Sequence, residues 1–329
     1  MNQIYRIYHP EIFQGANKRK NYFEGWYYKL IDKSKEHAFA IIPGISIKER
    51  DVHAFVQVLD QENNTYYFRY PISDFCYHPK KFEISIGDNV FSQNRLLLNI
   101  RKDGINICGT LHFKNIVTLP KTILRPGIMG PYSYVPFMEC YHGIVSIHHD
   151  IFGQLKVLGK TLDYNAGYGY IEKDWGRSFP EHWIWFQSNH FDNNDITLMF
   201  SVAKIPWINR AFTGFLSIFR YQDQVYVFAT YTGAKLKRLE VSNGYVRVRI
   251  EDFRFRLDMK VLQTEGGAIK APTNDGMERN IIESINAVVK VRLTDRSGDL
   301  IYEGRGTNTG LEIVNPVGTD CCDYTTGKK

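Results

Sequence analysis

The chain is built from short runs of β-branched and aromatic residues, each broken by a polar turn, and this constrains its fold more than any other feature. In the first half the runs are His37 to Ile42, His53 to Leu59, Tyr66 to Tyr70, Leu96 to Ile100 and Ile144 to His148. In the second half they are Trp183 to Ser188, Ile196 to Val202, Phe215 to Tyr221, Val225 to Thr230, Tyr245 to Phe255 and Ala287 to Leu293. Such runs pack well on a pleated surface and predict strands. Tyr245 to Glu251 alternates strictly: Val246, Val248 and Ile250 stand against Arg247, Arg249 and Glu251, which predicts a strand with one wet face. Asp103-Gly104, Asn243-Gly244, Asp275-Gly276 and Ser297-Gly298 are tight-turn signals. Helical periodicity is scarce, and one short helix is expected over Lys204 to Ala211. No alternation of strands with helices appears, which argues against a Rossmann domain or a TIM barrel.

The 329 residues suffice for about two domains. The expected architecture is all-β, with two antiparallel barrels or sandwiches over 1–160 and 161–329. The stretch from Gly153 to Gly169 is the expected boundary, although its beginning also reads as a strand. Phe23 to Tyr28 (FEGWYY) and Glu172 to Trp185 (EKDWGRSFPEHWIW) echo one another faintly, each placing an acid shortly before a tryptophan. The apolar fraction of 43% and aromatic fraction of 14% fit a folded chain with a large interior and exclude a disordered one.

The net charge of +6 lies entirely in residues 1–160, which hold 20 basic and 14 acidic residues; the remainder balances at 21 of each. This bias suits an anionic membrane surface or an acidic ligand. The basic residues form no single stripe and no nucleic-acid-binding motif is present, so no nucleic-acid partner is expected. There is no apolar run long enough for a membrane-spanning helix and no signal-peptide pattern at the start. Five scattered cysteines do not make a disulfide framework and fit a reducing cytoplasm; Cys321 and Cys322 read as an exposed, inert pair.

Three segments concentrate chemical groups. Tyr164 to Phe191 holds Glu172, Lys173, Asp174, Arg177, Glu181 and His182 among Trp175, Trp183 and Trp185. Charges threaded among rings suit the polar end of an apolar cavity, where desolvation raises a carboxyl pKa and makes a proton donor. A salt-bridged loop with tryptophans as core explains the same composition. Asn21 to Tyr28 places Glu24 between Phe23 and Trp26, just after the basic Asn17 to Lys20; Glu24 either pairs with an arginine of the second half or faces a cavity. Pro131 to Asp150 carries Glu139, His142, His148, His149 and Asp150. His142 and His148 lie six residues apart, about 20 Å along an extended strand, so they do not share an ion unless the chain bends. No metal is expected: HExxH and CxxC are absent, as are a GxSxG elbow and a phosphate-binding loop. Near the C-terminus, Gly304, Gly306 and Gly310 permit close packing before a final strand that closes the second domain.

Phe23 to Tyr28 (FEGWYY), Pro136 to Gly143 (PFMECYHG), Tyr170 to Trp185 (YIEKDWGRSFPEHWIW), Ala271 to Met277 (APTNDGM) and Gly310 to Val314 (GLEIV) together resemble the tocopherol cyclase family, which is related to carotenoid hydratases. The pieces span most of the chain, and EKDWG and SFP are the most specific. The resemblance implies two lipocalin-like β-domains and a hydrophobic ligand, an isoprenoid such as a prenylated quinol, or a lipid, met through transient contact with a membrane surface. The implied chemistry needs neither redox cofactor nor metal: an acid protonates a prenyl alkene, and a phenolic oxygen or water captures the cation. Glu172 or Asp174 is the implied acid, with Glu24 second. Trp26, Trp175, Trp183 and Trp185 line the wall or stabilise the cation. His142, Arg177 or His182 orient the polar head. Three functions remain open on the sequence: carriage of a hydrophobic ligand, acid-catalysed cyclisation or hydration, and a non-catalytic structural or interaction role.

Overall fold

The computed structural model describes residues 3–49, 51–193, 195–207 and 210–316. Apart from a six-residue helix, α1 (Gln3–Tyr8), and a few single helical turns, its regular structure is all strand. The chain resolves into two compact units: residues 1–179 with 267–281, and residues 180–266 with 282–329. Cys321 and Cys322 lie outside the described residues.

Unit 1 begins with a meander of β1 (Tyr22–Ile31), β2 (Ala38–Lys48), β3 (Asp51–Asp60) and β4 (Thr65–Tyr70). A second antiparallel run follows: β5 (Phe75–Tyr77), β6 (Glu83–Ile86), β7 (Asn89–Ser92), β8 (Arg95–Lys102) and β9 (Ile105–Val117). Then come β10 (Cys140–Val157), β11 (Lys160–Asp163) and β12 (Gly167–Gly176). Among the described residues the sheet order is β4-β3-β2-β1-β12-β10-β9-β8-β7-β6-β5, with β11 on the edge of β10. β12 therefore stitches the two runs together, and the expected boundary region supplies the end of β10, all of β11 and the start of β12. The Asp103-Gly104 turn closes the β8–β9 hairpin, with φ of +53° and +79° at its two residues.

One core forms where the sheet folds over itself. Val56 and Val58 of β3 pack in the same cluster as Ile84 of β6, Phe91 of β7 and Leu98 of β8. The sheet's two ends are joined by side chains, as where Asn89 Nδ2 donates to the Tyr70 hydroxyl at 3.3 Å. No ladder closes β4 onto β5 among the described residues. The unit is an open, sandwich-like sheet, and of the two architectures anticipated, the barrel does not form. β20 (Gly267–Ala271) belongs to the same unit, where Lys270 N–H donates to Gln57 Oε1 at 2.7 Å.

Unit 2 contains β13 (Trp183–Ser188), β14 (Thr197–Trp207), β15 (Arg210–Tyr221) and β16 (Gln224–Ala229). It continues with β17 (Lys235–Ser242), β18 (Tyr245–Glu251), β19 (Phe255–Leu262), β21 (Arg279–Asp295), which belongs to this unit from Ile282 onward, and β22 (Leu300–Val314). Among the described residues the order is β16-β15-β14-β13-β22-β21-β19-β18-β17, again open. β18 buries Val246, Val248 and Ile250 and leaves the intervening residues half-exposed, as its alternation predicts. The final strand does form, but it joins the two halves of the sheet from the middle. The helix expected over Lys204 to Ala211 does not form among the described residues of that span, where β14 pairs antiparallel with β15 and Pro206 stands opposite Ala211; residues 208 and 209 lie outside the described residues. At the hairpin end, a proline interrupts few ladder bonds, and the β-branched and aromatic residues flanking it favour strand.

His149 of β10 is fully buried; its Nδ1 lies 2.9 Å from the Ser146 hydroxyl. Burial, with a smaller contribution from neighbouring His148, pushes its pKa down to about 3. The unfolded chain therefore takes up this proton first as pH falls, and stability drops between pH 6.5 and about 3. The slope of this single-site contribution is up to about 1.4 kcal/mol per pH unit. Urea denaturation from pH 7 to pH 4 should show this loss in the native chain, and H149Q should remove that component of the slope. An identical slope in H149Q would refute the assignment.

Candidate active site: a buried clasp and an imidazole between two carboxylates

A strand projects alternate side chains to opposite faces, so EKDWG on β12 divides into two groups. Lys173 and Trp175 share one face; Glu172 and Asp174 share the other with Tyr170. The ladder extends both groups. Lys173 stands opposite Trp26 of β1, and Trp175 opposite Glu24. Asp174 stands opposite His142 of β10 and opposite Gly25 of β1, which sets no side chain beside the carboxylate.

The first group forms a buried clasp. Glu24 and Lys173 are both inaccessible to solvent, and Glu24 Oε1 lies 2.5 Å from Lys173 Nζ. The Glu24 carboxylate also accepts the backbone N–H of Gln14 at 2.8 Å and of Gly15 at 2.9 Å, and the Tyr22 hydroxyl at 2.6 Å. Lys173 Nζ donates to the carbonyls of Pro10, at 2.8 Å, and of Ile12. It also lies 4.7 Å from the Trp26 ring centroid and 4.9 Å from that of Trp175. Burial lowers the lysine pKa, and the Glu24 carboxylate opposes that shift. Burial, reinforced by Glu24, pushes the Tyr22 hydroxyl well above its ordinary value, so it remains a donor. Glu24 thus pairs with a lysine of its own sheet, where an arginine of the second half was one expectation. Trp26 is fully buried, stacks on Phe82 at 5.5 Å and donates its indole N–H to the Glu11 carbonyl at 3.0 Å.

The second group places an imidazole between two carboxylates. His142 Nδ1 lies 2.9 Å from Asp174 Oδ1, and Nε2 lies 3.7 Å from Glu172 Oε2. Glu172 is buried and accepts the Tyr170 hydroxyl at 2.6 Å. Burial, and then the Glu172 charge, push Tyr170 well above its ordinary pKa. Cys140 Sγ is 3.9 Å from Asp174 Oδ1, and burial followed by Asp174 raises its pKa, so it stays a thiol. The ligand atoms of His142, Glu172 and Asp174 lie within 4.8 Å of one another. A cation at this site would have to displace the imidazole–carboxylate bond.

His142 and Trp175 also line a cavity of about 720 Å³ within unit 1. Its walls include Tyr22, Met129, Met138, Tyr141 and Arg177, together with Pro10 and Gln14 of the N-terminal segment held by the clasp. Trp175 stacks on Tyr141 at 5.4 Å. Size and the apolar part of the lining suit a small molecule with an apolar body. A second cavity, of about 540 Å³ in unit 2, is lined by many charges of both signs, among them Asp258, Lys260, Arg292 and Glu303.

The remaining expected site residues lie in unit 2. Trp183 is buried and donates its indole N–H to Glu312 Oε2 at 2.6 Å; Trp185 is buried and stands opposite the same Glu312 in the ladder. His182 Nδ1 lies 2.6 Å from the Asn315 carbonyl oxygen. Sequence reasoning assigned no role to Lys173, Tyr170 or Pro10. A period-two reading of EKDWG would have placed Lys173 with Trp175; nothing local announces the Pro10 carbonyl.

The site and sheets define a two-domain β-sandwich protein with an apolar chamber and an acid–base cluster in its first unit. The chain belongs to the tocopherol cyclase-like family, whose model matches residues 112–315. Solved structures share the fold. Kievitone hydratase from Nectria haematococca aligns with a TM-score of 0.53 at 14% identity, over 93% of this chain and 94% of its own. An AttH-like protein of Nitrosomonas europaea gives 0.52 at 13%, over 88% and 92%. CghA in complex with Sch210972 gives 0.54 at 9%, over 89% and 88%.

Removing one partner of a buried ion pair leaves the other charge uncompensated. K173M and E24Q should each destabilise the fold by about 3–5 kcal/mol in chemical denaturation. The double variant should lose markedly less than the combined single losses. Additive losses would show that the pair is not coupled.

Proposed function

We propose that this protein binds a hydrophobic, isoprenoid or lipid-like molecule in the unit 1 cavity and performs acid–base chemistry on it at His142. The observation that carries the reading is that His142 lines the cavity and also bonds Asp174 while standing beside Glu172. An open chamber of this size supports a ligand-binding role over a purely structural one.

The reaction that fits the residues is protonation of a prenyl double bond. The site delivers a proton from His142 to the less substituted alkene carbon and leaves a tertiary cation. A phenolic oxygen or water attacks that cation, and the proton this oxygen loses returns to the site, so the sum is cyclisation or hydration. Asp174 orients the imidazole through Nδ1. Glu172, itself held by Tyr170, balances the imidazolium charge from the Nε2 side. Kievitone hydratase bears a name consistent with water addition, which gives the hydration form some support. Glu24, locked by its donors inside the clasp, acts as a positioning residue in this scheme. Trp175 forms the wall.

Incubation with a prenylated hydroquinone in D2O tests the reading. Deuterium should appear at the protonated carbon of the product. H142Q should lower turnover by about 100-fold or more while keeping ligand affinity within a few-fold. D174N should lower kcat with little change in KM. Undiminished turnover in H142Q would refute the assignment of the acid. Stoichiometric binding with no conversion in the native protein would leave carriage of the ligand as the function.

A further inference from the structure

The lining of the cavity also carries a different chemistry. Its lining includes four cationic side chains, Arg6, Lys18, Lys20 and Arg177, and no aspartate or glutamate. Lys18, Lys20 and Arg177 are exposed, and Arg6 is half-buried. None of the four forms an ion pair among the described residues. The Arg6 guanidinium is fixed in place by donating to the Gln14 carbonyl at 2.7 Å, and the Lys18 ammonium lies 5.9 Å from the Tyr22 ring centroid. Unit 1 thus combines an apolar, aromatic chamber with uncompensated positive charge at its walls. The acids of this region are engaged elsewhere: Glu24 with Lys173, Glu172 with the Tyr170 hydroxyl, Asp174 with His142, Glu139 with the Ser178 hydroxyl at 2.8 Å, and Glu11 with His9 and Lys121.

Like charges gathered without a counter-charge repel one another and attract an anion, and a low-dielectric wall beside them strengthens that attraction. We propose that the ligand of this cavity is an anionic amphiphile. Its apolar chain lies along Met129, Met138 and Trp175, and its carboxylate or phosphate group is held by Arg6, Lys18, Lys20 and Arg177. This inference rests on the ligand-binding reading above and narrows it: the molecule carries a fixed negative charge away from its reacting double bond. Guanidinium groups suit either oxyanion through paired hydrogen bonds, and the lysines add unoriented charge.

Three probes share one isoprenoid chain and differ at the head: farnesol, farnesoate and farnesyl phosphate. Their binding to the full chain is measured by calorimetry, with inorganic phosphate as the chain-free control. The charged probes should bind about tenfold or more tighter than farnesol at low ionic strength, and the advantage should shrink as salt is raised. The K18Q/K20Q double variant and R177Q should each reduce the ratio of charged to neutral affinity. Farnesoate outranking farnesyl phosphate would assign a carboxylate head, and the reverse order a phosphate head. Equal binding of farnesol and the charged probes would overturn the inference and leave the cavity reading standing. Inorganic phosphate competing as well as farnesyl phosphate would overturn it in favour of a simple anion site. Failure of all three probes to bind would overturn the inference together with the cavity reading. Circular dichroism and thermal melts of the variants confirm that the fold is kept; a surviving charge preference in folded variants would also overturn the assignment.

Discussion

The buried pair of Glu24 and Lys173 organises unit 1. Two charges without solvent contact are costly to bury unless nearly every donor and acceptor is answered. Here Glu24 meets two backbone amides, a tyrosine hydroxyl and the ammonium, while Lys173 meets two carbonyls and two indole rings. The carbonyls and amides all come from residues 10–15, so the pair fixes an irregular N-terminal segment to the middle of the sheet. That segment supplies Pro10 and Gln14 to the cavity wall. The shape of the chamber thus depends on an ion pair on the other face of β12 from the acid–base cluster.

Alternation on β12 keeps these two systems apart. Lys173 and Trp175 belong to the clasp, while Glu172 and Asp174 meet His142 across the ladder. Five consecutive residues thus supply the lysine of a buried ion pair on one face and two carboxylates beside an imidazole on the other. Within each unit, pieces that carried the family resemblance lie against one another. FEGWYY and EKDWG pair along β1 and β12, Phe179 of SFP packs edge-on against Phe23 and donates its N–H to Pro272 of APTNDGM at 3.1 Å, and Trp183 of EHWIW bonds Glu312 of GLEIV.

Much of this was legible in the sequence because it is local. The period-two runs gave the strands, Asp103-Gly104 gave its turn, and the density of charges and rings in EKDWG marked a segment that the ladder sets beside Glu24 and His142. Lys204 to Ala211 was misread as a helix because its proline and isoleucines fit a helix start about as well as a hairpin end, and only the pairing of β14 with β15 decides between them. Barrel and sandwich could not be separated, since closure depends on whether β4 meets β5, which no single strand records. The site itself required contacts across the ladder. His142 was weighed against His148 on its own strand, whereas its partners are Glu172 and Asp174 on the next one. Glu24 lacked a partner in the sequence reading because Lys173 lies 149 positions away along the chain and adjacent only through the pairing of β1 with β12.

The central claim is that the unit 1 chamber holds a small amphiphile against His142. Native mass spectrometry of the full chain, after incubation with a total isoprenoid and lipid extract, tests this most directly when the bound material is extracted and identified. The account predicts one molecule per chain with an apolar tail, present in the native protein and lost from a folded V135W variant, in which an indole replaces the side chain of Val135 in the chamber lining. A chain that stays empty, or a V135W variant that retains the same molecule, would contradict it.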